Sequence, residues 1–258
     1  MPVHLTLDGA VARLTLEEPG RKNAMTPELG DALKAKVAEL KGHTDLRAVV
    51  LHGADGTFSG GGDLAMLERL RGVSKDESRE FMRSFYARYL SVLELEVPTV
   101  AVVEGAAIGA GFCLALACDL LVVEETAKLA LNFVQLGLHP GMGATYFVPR
   151  RSSPQVATRL LLTGERFDGR SAERFGFSTH VTAPGQALTQ GLELVKTLAQ
   201  QAPLAVRALK RALGPDRLEL EKCLQNEAHQ QSISYASADL AEGLAAATAR
   251  RPPVFTGR

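Results

Sequence analysis

The run from Val100 to Val123, VAVVEGAAIGAGFCLALACDLLVV, constrains the fold more than any other part of the chain. A β-branched, apolar segment from Pro98 to Val103 meets glycines from Gly105 to Gly111, and these open on a stretch of helical composition, Phe112 to Cys118. This predicts a strand, a tight turn and a buried helix whose first backbone N–H groups are unpaired. A helix start of this kind favours negative charge, because its free donors and its dipole point the same way. A second run, Phe58–Leu64 (FSGGGDL), has the same character and follows the apolar strand Arg47–His52. Two such turns can together offer two N–H donors to one oxygen.

Composition excludes more than it selects. With 258 residues, 46% of them hydrophobic, the chain can bury one large core or two small ones. Its 29 basic and 29 acidic side chains balance, so nothing points to nucleic acid or to an anionic membrane. Cys113, Cys118 and Cys223 have neither the density of a disulfide framework nor metal-ligand spacing, and are expected to be reduced thiols. No basic-then-apolar segment opens the chain, and a cytoplasmic location is expected. The most apolar stretch, Val97–Cys118, is interrupted by Pro98, Glu104 and several glycines, which fits a buried strand and helix better than a bilayer span. No cluster of His, Cys, Asp and Glu has ligand spacing, so no metal is expected.

The order of elements reads as α/β followed by α. Val3–Leu16 alternates as a hairpin turning at Asp8-Gly9, and Pro27–Leu40 is an amphipathic helix capped by Thr26. After Arg47–His52 come a helix from Leu64 to Arg71 capped by Asp63, a polar break at Gly72–Glu77, and a long helix from about Ser78 to Leu95. The strands Thr99–Val103 and Asp119–Val123 flank the buried helix, the pattern of parallel crossover units that can stack as a spiral. Beyond Gly143 the pattern is mainly helical: Pro154–Leu162, Ser171–Phe175, Gln186–Gln201, Leu204–Leu213, Asp216–Tyr235 and Ala238–Arg250. Nothing resembles an interdomain linker.

The ordered set Arg21-Lys22-Asn23-Ala24-Met25, Phe58-Ser59-Gly60-Gly61-Gly62-Asp63-Leu64, Glu104 to Gly111, Cys118-Asp119, Pro140-Gly141-Met142-Gly143 and Arg251 to Phe255 resembles the crotonase (enoyl-CoA hydratase/isomerase) superfamily over nearly the whole chain. The resemblance implies an α/β fold: a spiral of ββα units over residues 1–195, with a helical region, 196–258, of the same domain that trimerises. It also implies a thioester substrate on a pantetheine arm, an acyl carrier protein or CoA thioester, with no other cofactor. A homotrimer or a dimer of trimers is expected. The backbone N–H groups of Gly62 and Ala110 would form an oxyanion hole, each donor typically contributing about 3–4 kcal/mol to the transition state.

Hydratases of the family use two glutamates, and the aligned positions hold Cys113 and Phe133. Ordinary hydration, which needs a positioned acid and base, is therefore not expected. Leu129–Gly141 contains no Asp or Glu, which removes the carboxylate nucleophile of family dehalogenases as well. The segment Asn132 to Pro149 looks most like the decarboxylating crotonases of polyketide β-branching cassettes. Those enzymes convert 3-methylglutaconyl to 3-methylcrotonyl thioester through a dienolate. That resemblance assigns catalytic roles to Lys75 and His229, with Arg79 or Arg83 as alternatives to Lys75 because the stretch from Lys75 to Pro98 is longer than the pattern. The family resemblance places Arg21 and Lys22 along the phosphopantetheine or CoA arm, and Ala24, Gly60, Phe133, His139 and Met142 are expected with them to bind substrate. Two other readings stay open: an isomerase or hydratase whose base is Glu104, Glu124 or Glu125, and a silent binding scaffold with the pocket blocked by Phe133 or Met142.

Overall fold

The computed structural model describes residues 2–258. The chain opens with the expected antiparallel hairpin, β1 (Val3–Asp8) and β2 (Val11–Leu16), in register from Val3↔Leu16 to Asp8↔Val11. Gly9 turns it at φ +58°, a conformation that favours glycine. Helix α1 (Pro27–Lys41) follows, with the Thr26 side chain accepting from Leu29 N–H and proline at the first helical position. Next come β3 (Ala48–Gly53), α2 (Leu64–Leu70), α3 (Lys75–Tyr89), a 3₁₀ turn over Leu90–Glu94 and β4 (Thr99–Val103). The two glycine turns then lead through β5 (Ala106–Ile108) and α4 (Ala110–Ala117) to β6 (Leu120–Glu124) and β7 (Lys128–Ala130). A 3₁₀ turn, Asn132–Leu136, precedes α5 (Ala144–Arg151), α6 (Pro154–Thr163), β8 (Arg166–Phe167), α7 (Gly169–Phe175) and β9 (His180–Thr182). The chain closes with α8 (Ala187–Ala199), α9 (Pro203–Leu213), α10 (Arg217–Tyr235) and α11 (Ala238–Ala249).

A six-stranded sheet runs in the order β1-β2-β3-β4-β6-β9, parallel at every pairing after the hairpin, and a three-stranded sheet runs β5-β7-β8. The central strands of the larger sheet are buried on both faces. Val49, Leu51, Ala101, Val103, Leu121 and Val123 face the main core, whereas Val50, Val100, Val102 and Val122 pack against Ala187 and Val195 of α8. That two-sided burial is why these strands read as unbroken apolar runs rather than as alternations.

One element begins earlier than the sequence reading placed it. Residues 72–77 read as a polar break, yet α3 starts at Lys75, because Ser74 and Glu77 form a reciprocal capping box. Lys75 is thus the first residue of a helix, not a loop lysine. The same helix stops at Tyr89 and continues to Glu94 only as the 3₁₀ turn.

Candidate active site

The two glycine turns are joined to one another. Ser59 N–H donates to Ala106 O at 3.0 Å and Ile108 N–H to Ser59 O at 3.1 Å, a parallel bridge between the segment leaving β3 and strand β5. The Ser59 hydroxyl reaches Asn23 O at 2.8 Å and accepts Gly61 N–H at 3.1 Å, while Met25 N–H donates to Gly61 O at 2.8 Å. Gly61, at φ +92°, has no room for a side chain, since a Cβ there would lie 2.6 Å from Ile108 O. The result is a rigid main-chain cradle in which Gly62 and Ala110 both line one cavity of about 420 Å³. Among the described residues neither of these two N–H groups has a protein acceptor. Ala110 is moreover the first residue of α4, where a helix leaves its donors free.

The rest of the cavity is mostly apolar. Met66 and Leu67 come from α2, Met82 and Phe85 from α3, and Phe133, Leu138 and Met142 from the segment between β7 and α5. Phe133 and Met142 form walls without closing the space. Lys22, Lys128 and Arg166 line the cavity and are also exposed, which marks its mouth as positively charged. No Asp or Glu is among the described residues that line it.

Its polar interior comes from α3 and α10. The buried phenol of Tyr86 donates to Gln231 Oε1 at 2.7 Å, and Gln231 Nε2 donates to His139 O at 2.9 Å. The second bond fixes the amide, so its oxygen is the end that faces Tyr86. Burial pushes the Tyr86 pKa well above the usual tyrosine range; Glu227 adds to the shift and the Met142 main chain opposes it. Behind the wall lies Glu227, wholly buried. Its carboxylate accepts Gly143 N–H at 2.7 Å, Thr145 N–H at 2.8 Å and the Thr145 hydroxyl at 2.6 Å, at the start of α5. Desolvation outweighs those bonds and raises its pKa to about 7.

The sequence-derived residues divide accordingly. Gly60, Gly62, Ala110, Lys22, Phe133 and Met142 are brought together at the cavity. Lys75 and His229 are not: both are exposed and neither lines it. Lys75 sits seven residues before Met82, about 10 Å along the α3 axis. His229 lies two positions from both Glu227 and Gln231, hence about 200° around α10 from the buried face. Arg79 and Arg83, the alternatives to Lys75, do not line the cavity either; they pair with Asp76 and with Glu80 and Glu221. Arg21 is turned to Asp63, 2.5 Å away, and Ala24 donates its N–H to Arg21 O; neither borders the cavity. Asp63 caps α2 by accepting Met66 N–H, as expected. His139 contributes its carbonyl, while its Nδ1 faces Pro140 O and burial lowers its pKa.

The acidic alternatives point elsewhere. Glu124 accepts Gly185 N–H at 2.6 Å and Glu125 pairs with Arg170; neither they nor Glu104 borders the cavity. Cys113 is wholly buried, and burial keeps it a neutral thiol. The sequence reading passed over Tyr86 and Gln231, although one signal for the second was present. Glu227, Gln231 and Tyr235 recur every fourth residue, an inward polar stripe on α10.

A sequence profile described as enoyl-CoA hydratase/isomerase matches residues 6–258. A Mycobacterium tuberculosis protein named "probable enoyl-CoA hydratase" is 38% identical over 256 residues, covering 96% of this chain and 98% of its own. The crystal structure of an enoyl-CoA hydratase from Bacillus halodurans superposes with a TM-score of 0.88 at 27% identity, over 95% of this chain and 100% of that one. A carnitinyl-CoA dehydratase from Mycobacterium avium does so with a TM-score of 0.86 at 30% identity, over 100% and 99%. Among the described residues, no helix is long and apolar enough to cross a membrane, and no group of three or more His, Cys, Asp and Glu is placed to hold a metal ion.

Proposed function

From the premise that this chain belongs to the enoyl-CoA hydratase/isomerase family, we propose that it acts on an unsaturated acyl-CoA thioester as a hydratase/isomerase-class enzyme that handles protons without glutamate. The observation behind this reading is the convergence of two unpaired main-chain donors, Gly62 and Ala110, on a mostly apolar cavity. Such donors stabilise the negative charge that a thioester oxygen acquires in its enolate. Lys22, Lys128 and Arg166 at the mouth would meet the phosphates of the CoA arm. The acyl chain would then lie among Met66, Leu67, Met82 and Phe85. The test is spectroscopic: a cinnamoyl-CoA chromophore should shift to longer wavelength on binding, as its carbonyl is polarised, and should keep its solution spectrum if the site is no oxyanion hole.

One observation favours a second reading, decarboxylation of a 3-methylglutaconyl-type thioester on CoA or an acyl carrier protein. The absence of acidic side chains among the cavity-lining residues suits a reaction that begins by breaking a carbon–carbon bond and needs an acid but no base. Carbon dioxide release from glutaconyl-CoA, set beside water addition to crotonyl-CoA, separates the two.

We further propose a trimeric assembly. Helix α9 has no buried residue, and Leu204, Leu209 and Leu213 are 80%, 57% and 78% exposed. Leu213 also lines a groove with Phe147, Leu220 and Leu224. An apolar face of this kind fits a second copy of the chain better than solvent.

A further inference from the structure

We propose that Tyr86 is the acid that delivers a proton to the enolate carbon of the bound thioester, and that Gln231 is its positioning residue. This rests on the oxyanion-hole reading of Gly62 and Ala110. With Cys113 and Phe133 at the positions of the family glutamates, the proton must come from another group on the cavity wall. Of the uncharged side chains that line it, Tyr86 and Tyr235 carry an O–H and Gln231 and Asn132 carry amides. The Tyr235 hydroxyl lies 3.3 Å from the sulfur of Met82, a weak partner, and amides are very poor acids. Lys22 and Lys128 also line the cavity but are exposed at its mouth, where the CoA phosphates would engage them, so Tyr86 is the remaining buried candidate.

Its setting is built around that hydroxyl. Gln231 is held by His139 O on one side and offers its oxygen to Tyr86 on the other, so the phenol is anchored from a different helix. Gly141 leaves the necessary space: a Cβ there would lie 2.6 Å from both the Tyr86 oxygen and Gln231 Nε2. Three elements, α3, α10 and the turn before α5, thus converge on one O–H that borders the same cavity as the two free amides.

The step balances simply. Addition of water at the β-carbon, with its spare proton passing to solvent, or loss of carbon dioxide from a carboxylated acyl chain, leaves an enolate on the thioester. The Tyr86 hydroxyl, whose proton rests on Gln231 Oε1 before substrate arrives, rotates about its C–O bond toward the enolate; its O–H bond breaks, a C–H bond forms on that carbon, and the phenolate takes a proton from water entering at the mouth. An enolate carbon is far more basic than a phenolate, so transfer runs toward the substrate even from a phenol that burial makes reluctant to ionise.

The experiment uses the full-length protein in D₂O with crotonyl-CoA and glutaconyl-CoA, following deuterium at the product carbon by mass spectrometry, beside the cinnamoyl-CoA spectrum. Tyr86→Phe should keep the red shift and lose about a hundredfold or more in C–D formation. Gln231→Leu should lower kcat by about tenfold with KM little changed, because the phenol loses its anchor and not its proton. Deuterium incorporation within threefold of the parent in Tyr86→Phe overturns the proposal. So does a parent protein that shifts the chromophore yet forms no C–D bond with either substrate. A parent that does not shift the chromophore removes the oxyanion-hole reading, and this proposal with it.

Discussion

Ser59 and Ala107 form an isolated parallel bridge, and through it the two glycine turns become one unit. Ser59 also fills the space beside Gly111, where a Cβ would lie 2.7 Å from its own Cβ. Main-chain geometry, braced by the Ser59 side chain, therefore sets where the Gly62 and Ala110 donors point.

Substitution at Gly62 separates loss of a donor from loss of space. No atom lies within 4 Å of a Cβ placed there. Gly62→Ala, and likewise Ala110→Gly, should be tolerated, while Gly62→Pro, which removes the N–H, should cost on the order of a hundredfold in turnover. Steady-state kinetics at matched thermal stability would check this, and full activity in Gly62→Pro would sink the donor assignment.

Lys75 and His229 give opposite expectations from alignment and from structure. If they hold a departing carboxylate, alanine at either should suppress carbon dioxide release. Their exposure away from the cavity leads us to expect Lys75→Ala and His229→Ala to remain within about threefold of the parent rate, surface changes being usually mild. Rates with glutaconyl-CoA decide between them.

Glu227 makes stability depend on pH in a definite direction. Its folded pKa, about 7, lies above the ordinary glutamate value of 4.5, so the native state binds the extra proton. Its contribution is fully present below about pH 4.5 and is lost as pH rises through 7, a span on the order of 3 kcal/mol. Denaturant midpoints at several pH values should show this slope in the parent and a flatter one in Glu227→Gln. The stability difference between the two should move in favour of Glu227→Gln as pH rises from about 4.5 to 8, because only the parent then carries a buried charge. Equal slopes would exclude Glu227 as the source.

Gly141→Ala tests the close approach of the Tyr86–Gln231 pair. A methyl group 2.6 Å from both side chains forces them apart, at a cost of about 1–3 kcal/mol. Activity should fall further than that of another overpacked core variant of equal melting temperature.

Assembly is open to a direct measurement. Light scattering at micromolar concentration should give three or six times the 27.6 kDa chain mass, and Leu213→Asp on the exposed face of α9 should reduce it. A monomeric parent protein contradicts the assignment.

The fold was legible in the sequence wherever local chemistry and burial agreed. The Asp8-Gly9 hairpin, the Thr26 and Asp63 caps and the parallel strands around α4 follow from turn residues and apolar runs. The short strands β5, β7 and β8 did not declare themselves, because three residues or fewer hold too little periodicity, and β5 is half of a glycine turn. The start of α3 was legible and missed, its capping box hidden inside a polar stretch. At the site, glycines pointed to the amides because they mark main-chain geometry. Lys75 and His229 rest on the resemblance to the decarboxylating enzymes, and a match of residues carries no information about which face of α3 or α10 they occupy. The inward stripe at Glu227, Gln231 and Tyr235 needed that angular reading of α10.

The linkage of the glycine turns through Ser59 divides labour between two kinds of chemical information. On the proposed reading, carbonyl activation is written into peptide bonds, which most substitutions leave alone, whereas the proton-transfer repertoire resides in side chains on the cavity walls. A protein built this way can change its reaction by exchanging a wall residue. Phe133, which borders the cavity beside Gly109, is such an exchange point: a carboxylate introduced there would meet an electrophile already prepared by the backbone.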